Sequence, residues 1–200
     1  MGGSKLAYLI TGGARSGKSL FAEQCASRLA SRGIYIATSR VSDDEEMHQR
    51  VNLHQQQREQ STFRWETIEE PDLLADRLVD IGKRADEQLL IGQQPPAVLV
   101  DCLTLWLTNR LLHHEASPPE MLENEINQLV ETVASYRHPL LLVTNEVGSG
   151  IVPAYSLGRI FRDVAGRMNR LLAERCERVF LVASGIPVDL KRIAFSWDEL

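Results

Sequence analysis

The chain alternates short apolar runs with longer segments whose apolar residues recur every three or four positions. Short apolar runs are typical of buried strands, and the longer spacing is typical of helices with one buried face. The pattern predicts strands at residues 6–11, 34–38, 63–68, 97–101, 139–144 and 179–185. Helical periodicity fills the intervals, at residues 17–29, 43–58, 72–88, 103–109, 119–136 and 157–169.

Strands that alternate with helices predict an α/β fold, with a mostly parallel sheet covered by helices on both faces. The connector at residues 91–96 is rich in turn residues but too short to link two domains. A chain of 200 residues is long enough for one well-cored domain of this class. We therefore expect a single domain over residues 6–200, after a disordered lead-in at residues 1–5.

Between the first predicted strand and the first helix stands the pattern G-x-x-x-x-G-K-[ST], in the strand–turn–helix context that identifies a phosphate-binding loop. Its glycines allow backbone N–H groups to face a phosphate, beside the positive end of a helix dipole. Lys18 is expected to reach the β- and γ-phosphates and the Ser19 hydroxyl to hold Mg²⁺. The predicted phosphate-binding residues are Gly12, Gly13, Ala14, Arg15, Ser16, Gly17, Lys18 and Ser19.

Polar residues follow three other predicted strands at the carboxyl edge of the sheet, where open α/β sheets bind ligands. Thr38 and Ser39 form the polar end of the second strand. Asp101 ends the fourth, where it would either hold Mg²⁺ beside the phosphate loop or cap the next helix. Glu146 follows the fifth, where it would serve as a general base or order the loop after it.

Arg50, His54 and Arg58 form an i, i+4, i+8 row on the second predicted helix. One interpretation is a solvated basic face on a surface helix. The other is a nucleophile that faces phosphate, because neighbouring arginines would hold the triphosphate and disfavour protonation of the imidazole. The spacing alone does not distinguish them.

Several other residues have alternative interpretations. His113 and His114 beside Glu115 suggest a metal site, but adjacent helical side chains diverge, so we expect a solvent-exposed loop. Trp65 is expected to pack against other side chains and not to stack on a base. In the last long helix, the polar residues could face a ligand or a neighbouring subunit; they are Arg159, Arg162, Asp163 and Asn169.

The net charge of −5, without a basic block, argues against a nucleic-acid partner and for a small nucleotide in a local pocket. Cys25, Cys102 and Cys176 have no C-x-x-C spacing, which suits core residues of a cytoplasmic protein. Neither a secretory signal nor an apolar run of membrane-spanning length is present, so we expect no membrane span.

Beyond the phosphate loop, the chain resembles one family, the bifunctional adenosylcobinamide kinase/adenosylcobinamide-phosphate guanylyltransferases of cobalamin biosynthesis. The more specific matching segments are Asn-Glu-Val-Gly at residues 145–148 and Phe-Arg-Asp at residues 161–163. The resemblance extends from about residue 6 to residue 191, and its other segments lie at residues 11–19, 35–38, 46–58, 65–71, 101–109 and 184–187.

The resemblance implies a RecA-like P-loop NTPase fold, a homotrimer, and a two-step enzyme that uses ATP or GTP with Mg²⁺. The substrates would be adenosylcobinamide, which is phosphorylated, and its phosphate, which receives GMP from GTP. His54 matches the histidine that carries GMP covalently, so the resemblance favours the catalytic interpretation of that row. The matched nucleotide-binding residues outside the phosphate loop are Ala37, Thr38, Ser39, Gln55, Gln56, Gln57, Arg58, Glu69 and Asp101.

Three positions depart from the family pattern: Glu59, where proline is usual, Ala154 with Tyr155, and Arg170. None belongs to the phosphate loop, so they concern substrate contacts more than the reaction class.

Two other functions compete with the transferase. One is a RecA-like ATPase that moves on a polymer, for which basic polymer contacts are not evident, and the other is a non-enzymatic nucleotide sensor.

Overall fold

The computed structural model describes residues 6–40 and 62–196, and in these residues it contains seven strands and six helices. The order along the chain is β1 Ala7–Gly12, α1 Lys18–Leu29, β2 Arg32–Ala37, β3 Arg64–Glu69, α2 Leu74–Leu90, β4 Ala97–Asp101, α3 Leu103–His113, α4 Pro119–Ser135, β5 Leu140–Val143, α5 Ser156–Arg175, β6 Arg178–Ala183, β7 Ile186–Asp189 and α6 Leu190–Ile193. The predicted lead-in and the predicted helix at residues 43–58 lie outside the described residues.

The strands form one seven-stranded sheet in the order β3-β2-β4-β5-β1-β6-β7. Every neighbouring pair is parallel except β6 and β7. The predicted α/β class and mostly parallel sheet are confirmed, and the architecture is that of a P-loop NTPase. Strand β7 was not predicted, because its four residues contain Pro187 and bury no side chain fully. Proline is tolerated there because β7 is an edge strand.

Helices cover both faces of the sheet, but unequally. On one face α1 packs through Ala22 and Ala26 against Ile10, Leu99 and Leu141. The apolar faces of α2, α3, α4 and α5 form the larger core on the other face. Central strands β4 and β5 are therefore buried on both sides, which explains their continuous apolar sequences.

Helix α2 begins at Leu74, two residues later than predicted, because Glu70 organises the turn before it. One carboxylate oxygen of Glu70 accepts a hydrogen bond from the Leu73 N–H at 2.9 Å, and the other pairs with Arg77 at 3.1 Å. The Glu70 N–H in turn donates to the carbonyl of Ala37 at 2.8 Å. These bonds tie the start of α2 to the carboxyl end of β2.

The predicted packing role of Trp65 is confirmed, since its ring meets those of Tyr35 and Phe63 edge to face. Cys102 and Cys176 are buried and Cys25 is partly buried, and none of the three forms a disulfide. The two buried cysteines fit the prediction of core residues.

The prediction of a solvent-exposed loop at His113 and His114 is wrong in two respects: His113 is exposed but belongs to α3, and His114 is not exposed. Its side chain is only 8% exposed and its Nε2 lies 2.9 Å from a Glu125 carboxylate oxygen. Glu125 also accepts two hydrogen bonds from Arg110, at 2.7 and 2.8 Å. Helix α3 continues through His113, so His114 is placed against α4, where the Arg110–Glu125 pair supplies a partner. The metal alternative finds no support either: residues 6–40 and 62–196 hold no metal-ligand cluster of three or more side chains.

None of the helices in the described part of the chain is long and apolar enough to cross a membrane.

Candidate functional site

The phosphate-binding loop joins the carboxyl end of β1 to the first residue of α1. Gly12 is required by close approach, because a Cβ there would lie 2.4 Å from the Val182 carbonyl oxygen and 2.7 Å from the Ser16 Oγ. Gly17 has a φ of +93°, which places it in the region that favours glycine. The sequence pattern therefore corresponds to a backbone that other residues would distort.

The turn that follows the neighbouring strand β6 supports this loop. The Gly185 N–H, between β6 and β7, donates a 2.9 Å hydrogen bond to the Ser16 carbonyl. A Cβ on Gly17 would lie 3.3 Å from the Gly185 Cα, so the two backbones touch. Lys18 donates from Nζ to the Gly13 carbonyl at 3.1 Å, which keeps its ammonium group over the loop.

The predicted residues at the ends of three other strands are register neighbours. Ala37 pairs with Glu69 on one side and with Asp101 on the other. Asp101 pairs in turn with Val143, which pairs with Ile10 of β1. Side chains at paired positions point to the same face of a sheet. Glu69, Ala37 and Asp101 thus form a row at the carboxyl edge, on the face that α1 covers.

Asp101 is held by a hydrogen bond from the neighbouring strand. The hydroxyl of Tyr35 donates to Asp101 Oδ2 at 3.0 Å. The alternative that Asp101 caps the next helix is wrong, because the N-cap residue of α3 is Cys102 and no side chain caps it. Asp101 is therefore oriented by Tyr35 instead of being used by α3.

The pKa of the Cys102 thiol depends on its burial and on the charges near it. Burial, reinforced by the Asp101 carboxylate, raises the pKa of its thiol to about 11, although the Lys18 ammonium partly opposes the shift. The thiol therefore stays protonated at neutral pH and is no candidate nucleophile. Strands β1 and β4 both pair with β5, so the phosphate loop and the Asp101 carboxylate lie at the same edge of the sheet.

Thr38 is fully buried and serves to join β2 to β4. Its hydroxyl donates to the Cys102 carbonyl at 2.7 Å and accepts from the Cys102 N–H at 2.9 Å. The side-chain amide of Asn109 donates to the carbonyls of Thr38 and Pro71, at 2.9 and 3.0 Å. The position of Thr38 at the carboxyl edge is as predicted, while its side chain is engaged within the protein; its contact with nucleotide stays a prediction.

The loop after β5 is attached to the phosphate loop and to α5. The Glu146 N–H donates to the Gly12 carbonyl at 3.1 Å. The Glu146 carboxylate accepts from the Gly148 N–H at 3.2 Å, the loop-ordering contact that was one of its two interpretations. Arg162 of α5 donates to the Gly148 carbonyl at 2.6 Å. A chain of contacts thus runs from α5 through this loop to the phosphate cradle.

Two further side chains of α5 hold the same loop. Arg159 donates to the carbonyls of Pro153 and Ala154, at 3.1 and 2.7 Å. Asn169 accepts from the Thr144 hydroxyl at 2.9 Å and donates to the Asn145 carbonyl at 3.1 Å. These polar residues of α5 therefore organise the loop, a role that their spacing on a helix did not reveal.

The proposed Mg²⁺ ligands fit that ion chemically. Ser19 and Asp101 offer hard oxygen donors, one at the first turn of α1 and one at the end of β4. Mg²⁺ in nucleotide sites takes one or two protein oxygens and completes its shell with water and phosphate oxygens. A site with so few protein ligands does not require a cluster of three or more His, Cys, Asp or Glu side chains, and residues 6–40 and 62–196 contain none.

Part of the predicted site lies outside the described residues, namely His54, Gln55, Gln56, Gln57 and Arg58. The sequence reasoning assigned no role to Tyr35, Thr104 or Asn109. Thr104 accepts at its hydroxyl from the Asn145 N–H, at 2.9 Å. The sequence did contain an indication of the role of Tyr35. Tyr35 lies two residues before Ala37, and residues two apart in a strand point to the same face.

Comparisons with known proteins are consistent with this site. Residues 8–190 match the family described as cobinamide kinase / cobinamide phosphate guanyltransferase. The chain is 40% identical over 183 residues to a Pseudomonas aeruginosa protein named bifunctional adenosylcobalamin biosynthesis protein CobP, covering 92% of this chain and 96% of that protein. It is also 40% identical over 193 residues to the Escherichia coli protein named bifunctional adenosylcobalamin biosynthesis protein CobU, covering 92% and 98% of the two chains. The resemblance read from the motifs is confirmed: the chain belongs to the cobinamide kinase / cobinamide phosphate guanyltransferase family.

Proposed function

We propose that this protein phosphorylates adenosylcobinamide with ATP or GTP and then transfers GMP from GTP to the new phosphate. The observation that carries the proposal is the shared carboxyl edge of the sheet: in a member of this family, the phosphate loop after β1 and Asp101 at the end of β4 both stand beside β5. A nucleotide triphosphate would lie along this edge with its phosphates at residues 12–19.

In the kinase step, the hydroxyl of the aminopropanol arm attacks the γ-phosphorus. A new P–O bond forms to the corrinoid, the bond to the β-phosphate oxygen breaks, and the hydroxyl proton leaves to a base. The loop N–H groups and Lys18 hold the β- and γ-phosphates as charge shifts to the leaving diphosphate. Mg²⁺ bound by Ser19 and Asp101 would neutralise part of that charge. Tyr35 keeps the Asp101 carboxylate in place.

In the guanylyl step, the His54 imidazole attacks the α-phosphorus of GTP. An N–P bond forms while the bond to the β-phosphate oxygen breaks, and pyrophosphate leaves from the phosphate loop. A phosphate oxygen of adenosylcobinamide phosphate then attacks the phosphorus, the N–P bond breaks, and adenosylcobinamide-GDP is released. Arg50 and Arg58, four residues on either side of His54, would keep the imidazole neutral and ready to attack. Of the other matched residues, Gln55, Gln56, Gln57, Arg58 and Glu69 would contact the nucleotide.

Trapping of the labelled enzyme tests this role of His54. Incubation with α-labelled GTP and Mg²⁺ should leave acid-labile label on the parent protein and none on His54→Ala. The matched control is His113→Ala, which removes an exposed histidine at the end of α3 and should label like the parent. Equal labelling of His54→Ala and the parent would reject the covalent mechanism.

Phosphorylation is measured separately, with γ-labelled ATP or GTP and adenosylcobinamide. Label should pass to the corrinoid in the parent and in His54→Ala, but not in Lys18→Ala. Nucleotide binding without transfer to the corrinoid at any pH tested would favour a nucleotide sensor instead.

We further propose that the protein acts as a homotrimer, as its family resemblance implies, and in the cytoplasm, as its cysteine pattern suggests. Light scattering after size exclusion should give three times the mass of the 22.5 kDa chain. A monomeric mass with full activity would reject the trimer.

A further inference from the structure

A second cavity lies at the edge of the sheet opposite the phosphate loop. It has a volume of about 260 Å³ and lies between α2 and the face formed by β2 and β3. Arg32 and Arg64 stand at the amino ends of β2 and β3, whereas Ala37 and Glu69 stand at the carboxyl ends. Six residues of strand span about 17 Å, so this cavity is separate from the proposed nucleotide site.

The cavity places two like charges side by side. Arg32 and Arg64 are register partners across β2 and β3, where strands lie about 4.8 Å apart. Arg84 enters the same cavity from α2. Like charges on directly opposed positions repel each other and destabilise a sheet. Three guanidinium groups around one cavity are unexpected in a chain whose net charge is −5.

The arginines around this cavity outnumber its single carboxylate, that of Glu66, by three to one. None of the three arginines forms an ion pair with a residue that the structure describes, although Arg32 donates to the side-chain oxygen of Gln88 at 3.0 Å. Glu66 also lines the cavity and makes no ion pair with any of them. The Arg32–Gln88 bond fixes one guanidinium between β2 and α2, which leaves Arg64 and Arg84 available for an external anion.

Apart from Glu66 and Gln88, the rest of the lining is apolar. Ile34 and Ile68 of the sheet and Ile81 and Ala85 of α2 face the cavity. Ile81 and Ala85 are buried, so the floor is a continuation of the core. A ligand that fits would carry its charge at the arginine end and an apolar group at the other.

We propose that this cavity binds a small organic phosphate monoester with an apolar body. A phosphate monoester carries close to two negative charges at neutral pH and offers three acceptor oxygens, which suits several guanidinium groups. Planar guanidinium groups bind phosphate oxygens in pairs. The cavity is large enough for one such group joined to a ring, and binding there would bridge α2 to β2 and β3.

Phenyl phosphate is a suitable probe, and calorimetric titration is carried out on Lys18→Ala so that the phosphate loop does not contribute. We expect saturable binding at one site, with Arg64→Gln and Arg84→Gln in the same background each weaker by about tenfold or more. Arg137→Gln is the matched control, because it removes an exposed arginine that does not line the cavity. Its affinity should equal that of Lys18→Ala.

Three further probes separate the parts of the proposed ligand. Inorganic phosphate should bind more weakly than phenyl phosphate because it lacks the apolar body. Benzoate should also bind more weakly, because it carries a single charge. Benzyl alcohol, which has no charge, should not bind. Loss of all phenyl phosphate binding in Lys18→Ala would overturn the proposal, as would unchanged affinity in both arginine variants.

An independent measurement uses the melting temperature of the parent sequence without ligand. At low salt, Arg64→Gln should raise the Tm because it removes one member of the repelling pair, and the gain should shrink as salt screens the charges. A lower Tm for Arg64→Gln at low salt would contradict the repulsion on which the proposal rests.

Discussion

The Tyr35 hydroxyl and the Asp101 carboxylate, on neighbouring strands, are joined by a 3.0 Å hydrogen bond at the carboxyl edge of the sheet. The bond crosses from β2 to β4 on the face that α1 covers, beside the phosphate loop. It therefore fixes the direction of a carboxylate that is proposed to hold Mg²⁺.

Tyr35→Phe tests the importance of that orientation. We expect phosphoryl transfer to fall about tenfold, because a hydrogen bond to a charged group contributes about 1.5–3 kcal/mol. The half-saturating Mg²⁺ concentration should rise, whereas the affinity for the corrinoid should not change. Asp101→Asn should reduce transfer much further. If Tyr35→Phe loses activity without any change in Mg²⁺ dependence, the orienting role is wrong.

Gly12→Ala tests the close approach between the phosphate loop and β6. Its Cβ would lie 2.4 Å from a backbone oxygen that cannot rotate away, so we expect a loss of about 2 kcal/mol in unfolding free energy and of most nucleotide binding. The comparison is Gly166→Ala in α5, where a Cβ meets no neighbour within 4 Å. That change should stabilise the protein by about 0.5–1 kcal/mol. Denaturant titration measures both, and equal stabilities would contradict the steric argument.

Arg162→Ala tests the attachment of the loop after β5. Loss of the bond to the Gly148 carbonyl should release the loop and lower kcat/KM about tenfold, with a small change in Tm. Amide hydrogen exchange should accelerate at residues 146–153. Arg170→Ala on the same helix removes only an exposed pair with Glu174, so its exchange and activity should match the parent. Unchanged exchange in Arg162→Ala would show that the bond does not hold the loop.

Glu125→Gln tests the partly buried ion pair between α3 and α4 through the pH dependence of stability. Burial acts to raise the pKa of Glu125, but hydrogen bonds from Arg110 and His114 outweigh it and lower the pKa below its ordinary 4.5. A lowered pKa in the folded state stabilises the protein above the ordinary value, and this stabilisation is lost as the pH falls through the folded pKa.

We therefore expect Glu125→Gln to be less stable than the parent by about 2 kcal/mol at pH 7, and the difference to shrink below pH 4.5. The control is Glu131→Gln, which breaks an exposed pair with Arg175 and should change stability by less than about 0.5 kcal/mol. A difference that stays constant from pH 7 to pH 3 would mean that Glu125 does not act through its charge.

The sequence was sufficient for the parallel sheet and the phosphate loop, because both depend on local patterns. The apolar sequence of β4 and the glycines of the loop follow directly from burial and from backbone geometry. It was not sufficient for contacts between distant segments. Three hydrogen bonds at the site depend on sheet register and helix placement, which periodicity does not specify. They join Tyr35 to Asp101, Thr104 to Asn145, and Arg162 to Gly148.

The burial of the His114 side chain is another contact between distant segments that the sequence did not predict. Adjacent histidines before a proline-containing segment are typical of an exposed turn, and only the position of Glu125 on α4 explains why one of them is buried.

The place of β1 in the sheet has a consequence for synthesis of the chain on the ribosome. Leu9 is the register partner of Leu142 in β5 and of Val179 in β6, so the strand that precedes the phosphate loop pairs only with segments made more than 130 residues later. Strands β2, β3 and β4 can pair with one another well before that. Contacts so distant in sequence form late and slowly. The strand made first thus gains its neighbours late, and nascent chains that end before β5 should not retain nucleotide, as filter binding of stalled ribosome complexes would show.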